Sequence, residues 1–152
     1  MDFDFSRKIP IGVQSFEVMR NDKFLYVDKT PFLFKLVHSN RVYFLSRPRR
    51  FGKSLFLLTL KNYFLGQKEL FKGLYIEKAE EKRAEIEKTA AWVEYPVLYL
   101  DFNTKYYKDQ EALLTIINLH LDDWEKLYNL TKTLGDIEDR FKAIILALYN
   151  KI

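Results

Sequence analysis

The stretch Ser46-Arg47-Pro48-Arg49-Arg50-Phe51-Gly52-Lys53-Ser54 decides how this chain is read. The apolar run Val42-Tyr43-Phe44-Leu45 precedes it, and an apolar helical pattern from Leu55 to Leu65 follows. Strand, loop, Gly-Lys-Ser and helix, in that order, is the setting of a phosphate-binding loop.

Each residue type has a physical reason to be there. The first turn of a helix leaves backbone N–H groups without intrahelical partners, and the helix dipole favours negative charge beside them. Gly52 lets the backbone approach a ligand with no Cβ in the way. The ammonium of Lys53 can reach outer phosphates, and the hydroxyl of Ser54 can ligate magnesium. The usual pattern is G-x-x-x-x-G-K-[ST], and here Arg47 stands at the first glycine position. Arg47, Arg49 and Arg50 can add charge-assisted hydrogen bonds to phosphate. The competing reading is a surface turn whose arginines are merely solvated.

With 152 residues, the chain has the length of one domain. At 48% hydrophobic, with 13 Phe and 10 Tyr, it can bury a core, and a net charge of only +4 excludes a charge-driven disordered chain. The mild positive charge permits an anionic partner without implying nucleic acid. With no cysteine, disulfides and thiolate metal sites are excluded. Met1-Asp2-Phe3-Asp4-Phe5 is acidic and lacks a signal-peptide core, and no apolar run approaches the ~20 residues of a membrane span. A cytoplasmic location and no membrane partner are therefore expected.

Along the chain, residues 1–40 read as a lead-in and first helix, and 41–152 as a P-loop core with following helices, all in one domain. Phe24 to Val27 is a short strand candidate. Thr30 fits an N-cap and Pro31 the first helical position of a helix running to about Val37, with Ser39-Asn40 ending it. Val42 to Leu45, apolar on both faces, suits a central parallel strand, and a helix over 53–65, apolar nearly all round, suits burial against that sheet. Gly66 is the expected stop. Residues 77–90, dense in Glu, Lys and Ala, read as an exposed helix with a solvated charged face. Val97 to Phe102 is a second buried-strand candidate. Asp109 starts a helix to about Tyr128, with Leu113, Ile117, Trp124 and Leu127 as its apolar stripe, broadened by Leu114, Leu121 and Tyr128. Gly135-Asp136 starts a last helix bearing Ile137, Phe141, Ile144, Ile145, Leu148 and Tyr149. His38 and His120 lack further ligands at metal spacing. The fold class expected is α/β: a P-loop NTPase-like parallel sheet flanked by helices, incomplete because later strands are lacking.

With loop and flanks in view, the chain resembles the AAA-ATPase-like domain of many bacterial proteins, often followed by a PD-(D/E)XK nuclease-like domain. The residues that carry the resemblance are Arg7 to Phe16, Tyr26-Val27-Asp28-Lys29-Thr30, Tyr43 to Leu55, Tyr63 to Gly66, Leu70 to Leu74 and Tyr95-Pro96-Val97. The Arg-Pro-Arg-Arg-Phe-Gly-Lys-Ser loop, with arginine in place of the first glycine, is that family's own form of the Walker A motif. The resemblance implies ATP as ligand and magnesium as its partner. It makes Lys53 the phosphate lysine and Ser54 the magnesium ligand. Pro48, Arg49, Arg50, Phe51, Gly52, Lys53, Ser54 and Leu55 form the nucleotide-binding segment, and Ile9 to Phe16 lies near the adenine.

One departure limits the activity expected. The family's Walker B carboxylates lie in a strand expected after the helix 137–150, and the chain stops at Ile152. Asp101, ending Val97–Leu100, is the sole internal candidate for magnesium, and it matches a different family strand. The chain thus reads as an N-terminal portion that binds ATP without efficient hydrolysis and awaits the C-terminal remainder of its domain. Its sheet is expected to lack its middle, or to be rearranged so that the two strands pair, with association through open strand edges. The alternative reading is a nucleic-acid or protein interaction module using Arg47, Arg49, Arg50 and Lys53, with the nuclease-like domain of relatives as its context.

Overall fold

A computed structural model describes residues 8–39, 42–46, 48–102, 109–132 and 134–151. Every regular element among them is helical: α1 (Phe16–Asn21), α2 (Thr30–Val37), α3 (Lys53–Phe64), a short 3-10 helix (Lys68–Phe71), α4 (Tyr75–Glu87), α5 (Gln110–Leu127) and α6 (Ile137–Tyr149). They fall into two compact units, Met1–Tyr95 and Pro96–Ile152.

The expected α/β fold is corrected by this finding. No β-strand and no sheet occurs among the described residues, and the chain is helical. Phe24–Val27, Val42–Leu45 and Val97–Phe102 form no ladder. The physical reason is that a helix satisfies its backbone from within, whereas a strand needs the N–H and C=O groups of a neighbour. Val42 and Phe44 instead stand in solvent, 89% and 93% exposed. In the second unit, the Val97 N–H donates to the Tyr128 hydroxyl at 2.7 Å, and that hydroxyl donates to the Val97 carbonyl at 3.0 Å. A side chain there takes the place of a neighbouring strand.

Helix boundaries follow local chemistry. The Asp109 carboxylate accepts from the Ala112 N–H and the Asp136 carboxylate from the Asp139 N–H, capping α5 and α6 as expected. Gly66, at φ +65°, takes the left-handed turn just after α3. α2 begins one residue earlier than expected, with Lys29 at its N-cap. Thr30 lies inside, its N–H and hydroxyl both donating to Asp28 Oδ1 at 2.8 and 2.6 Å. Asn40 and Met1–Phe5 lie outside the described residues.

The core of the first unit gathers Phe16, Leu33, Leu70, Phe71, Leu74 and Ile76. Phe71 is its hub, 5.1 Å from Phe16 and 5.2 Å from Trp92 by ring centroids. Arg20 ties α1 to the 3-10 helix by donating to the Leu70 and Lys72 carbonyls at 2.7 and 2.5 Å. Two buried polar residues of α3 bond back to their own helix, with Thr59 Oγ1 donating to the Leu55 carbonyl and Asn62 Nδ2 to that of Leu58, while Asn62 Oδ1 is buried with no partner among the described residues.

α4 departs from the solvated face expected of its charge run. Glu80 is fully buried and accepts from Tyr63 Oη at 2.5 Å, His38 Nε2 at 2.8 Å and Arg83 Nε at 3.0 Å. Burial favours the neutral carboxyl, but the hydrogen bonds from Tyr63, His38 and Arg83 outweigh it and hold the Glu80 pKa below the usual carboxylate value. Burial first, and then the Glu80 carboxylate, push the Tyr63 phenol upward. At the other end of α4, Asp28 Oδ2 accepts from the Tyr75 N–H at 2.7 Å and Thr30 Oγ1 from the Ile76 N–H at 3.2 Å.

In the second unit, α5 and α6 bury Leu121, Trp124, Ile144 and Leu148 against each other. The α5 stripe is turned from the one expected, since Leu127 is exposed while Ile116 and Glu125 are buried. Arg140 explains the buried Glu125. It donates to that carboxylate at 2.8 and 3.3 Å, to Asp122 at 2.7 Å and to Asn118 at 2.9 Å. On α6, Ile145 and Tyr149 face solvent, although their spacing predicts burial.

Candidate phosphate-binding site

The loop ahead of α3 turns twice through left-handed backbone, at Arg50 (φ +66°) and Gly52 (φ +73°, ψ 22°). Gly52 is the N-cap of α3, and its carbonyl accepts from the Phe56 N–H at 2.9 Å. A Cβ at position 52 would meet nothing within 4 Å, so the backbone conformation, rather than crowding, selects glycine. No side chain caps α3. Its first-turn N–H groups, among them those of Lys53, Ser54 and Leu55, are the donors that a helix leaves open at this end.

Pro48, Arg49, Arg50, Phe51, Gly52 and Ser54 are exposed, while Lys53 and Leu55 are half-buried. Leu55 packs on the core of the first unit, which anchors the first turn of α3. Lys53 Nζ donates to the Pro48 carbonyl at 3.0 Å, closing the loop on itself. Arg47 lies outside the described residues.

Two clefts open beside this turn. One, of about 180 Å³, is lined by Pro10, Met19, Leu25, Tyr26, Leu55 and neighbours. The other, of about 220 Å³, is lined by Phe32, Leu36, Leu45, Phe51, Lys53 and neighbours. Lys29, Gly52 and Phe56 line both. Pro10 belongs to the lead-in that the family resemblance sets near the adenine, and it shares the first cleft with Gly52. Leu45, expected in a buried strand, lines the second.

Asp101 belongs to the second unit and Ser54 to the first. The Asp101 main-chain carbonyl is 3.0 Å from His120 Nε2, and the His120 ring stacks on Trp124. Among the described residues, no group of three metal-ligating side chains occurs, and no helix is long and apolar enough to cross a membrane. The Ser54 hydroxyl suits magnesium as a single oxygen ligand, because that ion is commonly held by few protein groups together with phosphate oxygens and water.

A family profile described as "Predicted AAA-ATPase" matches residues 10–152. The chain belongs to the AAA-ATPase-like family. A relative within reach of direct comparison is an uncharacterized protein in the vnfD 5′ region of Azotobacter chroococcum mcd 1. It is 54% identical over 71 residues, which are 46% of this chain and 14% of that protein. This AAA-ATPase-like chain therefore matches only a small part of that relative's length. No solved structure matches it.

Sequence reasoning gave no role to two features of the first unit. Lys29 was legible only as part of Asp28-Lys29-Thr30, and nothing local marks it as lining the clefts. The ring around Glu80 joins residues 17 and 42 positions apart in sequence, so no local pattern signals it.

Proposed function

We propose that this AAA-ATPase-like chain binds ATP at the turn Pro48–Leu55. The observation that carries the reading is Gly52-Lys53-Ser54 opening α3 at the point where the two clefts meet. A left-handed N-cap glycine followed by a lysine at the head of an uncapped helix is the chemistry that anions favour. The apolar cleft of Pro10, Leu25 and Tyr26 is of the kind that accepts a flat base, with the phosphates directed toward Lys53.

In this reading, Lys53 exchanges its bond to the Pro48 carbonyl for one to phosphate oxygen, a charge-assisted and stronger contact. Arg49 and Arg50 are exposed and supply further positive charge. Ser54 contributes one oxygen to magnesium accompanying the phosphates, and bound magnesium would neutralise phosphate charge. Binding, rather than hydrolysis, is the activity proposed for this chain.

The test is a titration of the chain with N-methylanthraniloyl-ATP, with and without magnesium, beside Lys53→Ala. One saturable site in the parent, and affinity at least about tenfold weaker in the variant, is expected from losing one charge-assisted bond. Stability should stay within about 0.5 kcal/mol, since the loop lies outside the core. Equal affinity of parent and variant would remove Lys53 from the site. Binding of single-stranded DNA that collapses with salt, with no saturable ATP site, would favour the interaction-module reading instead.

A further inference from the structure

Lys29 lines both clefts that meet at Gly52, and it comes from a different element than Lys53. We propose that Lys29 is a second phosphate-binding cation of the site, holding the polyphosphate chain of a nucleoside triphosphate between the base cleft and Lys53. The inference rests on the ATP-binding reading above and adds to it a residue outside the loop motif.

Three observations separate Lys29 from an ordinary surface lysine. The first is its fixed main chain. Its carbonyl accepts from the Phe32 N–H at 3.1 Å at the head of α2. Both flanking residues are locked as well. Asp28 is held by Thr30 on one oxygen and by the Tyr75 N–H on the other, and buried Thr30 accepts from the Ile76 N–H. A main chain held on both sides loses little further freedom when its side chain takes a ligand, which lowers the entropic cost of binding.

The second observation is the state of its ammonium. Lys29 makes no ion pair and no side-chain hydrogen bond with the described residues. The nearest carboxylate in sequence, Asp28, already has both oxygens engaged in backbone and hydroxyl contacts. Lys53, by contrast, already places one ammonium N–H on the Pro48 carbonyl. The third observation is position. Among the described residues, Gly52 and Phe56 are the only others that line both clefts. A chain of phosphates passing from one cleft to the other runs by Gly52, and Lys29 stands at that crossing. Two ammonium groups approaching from separate elements suit an extended polyanion better than one, since each pairs with its own phosphate oxygens.

The experiment uses the full chain and four proteins: parent, Lys29→Ala, Lys29→Arg and Lys53→Ala. Each is titrated with N-methylanthraniloyl-ATP, adenosine is added as competitor, and circular dichroism checks the fold. The expected result is that K29A weakens ATP about tenfold and K29R stays within about threefold of the parent. Adenosine, which has no phosphate, should compete equally well against parent and K29A. If K29A binds ATP as the parent does while K53A is weakened, Lys29 is not a phosphate ligand, and the loop reading stands without it. If K29A weakens adenosine and ATP alike, Lys29 shapes the cleft rather than holding phosphate, and the proposal fails. If the folded parent binds no ATP, or K53A binds as tightly as the parent, the loop reading falls and Lys29 falls with it.

Discussion

Glu80 and Lys53 are both charged side chains on helices of the first unit, and their surroundings differ in kind. Glu80 is sealed from water and receives a phenol, an imidazole and a guanidinium. Lys53 stands at the open end of α3 beside exposed arginines, with its ammonium on a carbonyl of its own loop. The first arrangement joins α4 to α3 and to the residue after α2. The second leaves cation and backbone donors where a ligand can reach them. If Lys53 binds phosphate as proposed, substitutions in the two places should separate stability from affinity.

The largest effect should come from Glu80→Ala. It removes the shared acceptor of Tyr63, His38 and Arg83 and leaves a void where a buried side chain stood. Breaking a buried charged cluster from one side costs about 3 kcal/mol. Urea unfolding followed by Trp92 fluorescence, with Trp124→Phe in both proteins to silence the second unit, reads that loss. A change below about 1 kcal/mol would mean that the Glu80 ring is ornamental to the unit and that the comparison with Lys53 has no energetic content.

A smaller effect should appear on acidification. Burial opposes ionisation of Glu80, but its three donors win, so the folded pKa lies below the unfolded one. A lowered folded pKa stabilises the protein above the unfolded carboxylate value of about 4.3, and that stability is lost as pH falls through the folded value. The stability gap between parent and Glu80→Gln should therefore be constant near neutrality and narrow below about pH 4. A gap that stays constant down to about pH 3 would remove Glu80 ionisation as its source.

What the sequence made legible follows the range of the interaction concerned. Asp109, Asp136 and Gly66 mark helix ends because each acts on backbone within a few residues of itself. Gly52-Lys53-Ser54 was placed correctly at the head of a helix for the same reason. Val42–Leu45 and Val97–Phe102 have strand composition, but composition cannot supply a partner, and no ladder forms among the described residues. Glu80 was hidden by its own neighbours, since a run of Glu and Lys looks solvated whichever member turns inward. The clefts were invisible because Pro10, Tyr26 and Lys29 meet Gly52 only through the fold. The arginines of the loop were legible as charge.

The smallest effect sharpens the comparison from the apolar side. Phe44 and Phe71 are the same residue type, both in the first unit. Phe71 is fully buried and touches Phe16, Tyr63 and Trp92, while Phe44 is almost wholly in water. Hydrophobic stabilisation follows the area removed from water, so Phe44 contributes almost none of it despite its composition. Phe44→Ser should therefore change the urea midpoint of the first unit by no more than about 0.5 kcal/mol equivalent. A loss above about 2 kcal/mol, the range of a buried aromatic, would show that Val42–Leu45 is covered in solution, and the strand composition of that stretch would then have an occupant to explain it. An unchanged midpoint would leave Phe44 as an aromatic ring held in water ahead of the Pro48–Leu55 turn, contributing nothing to a stability that rests on residues such as Phe71 and Glu80.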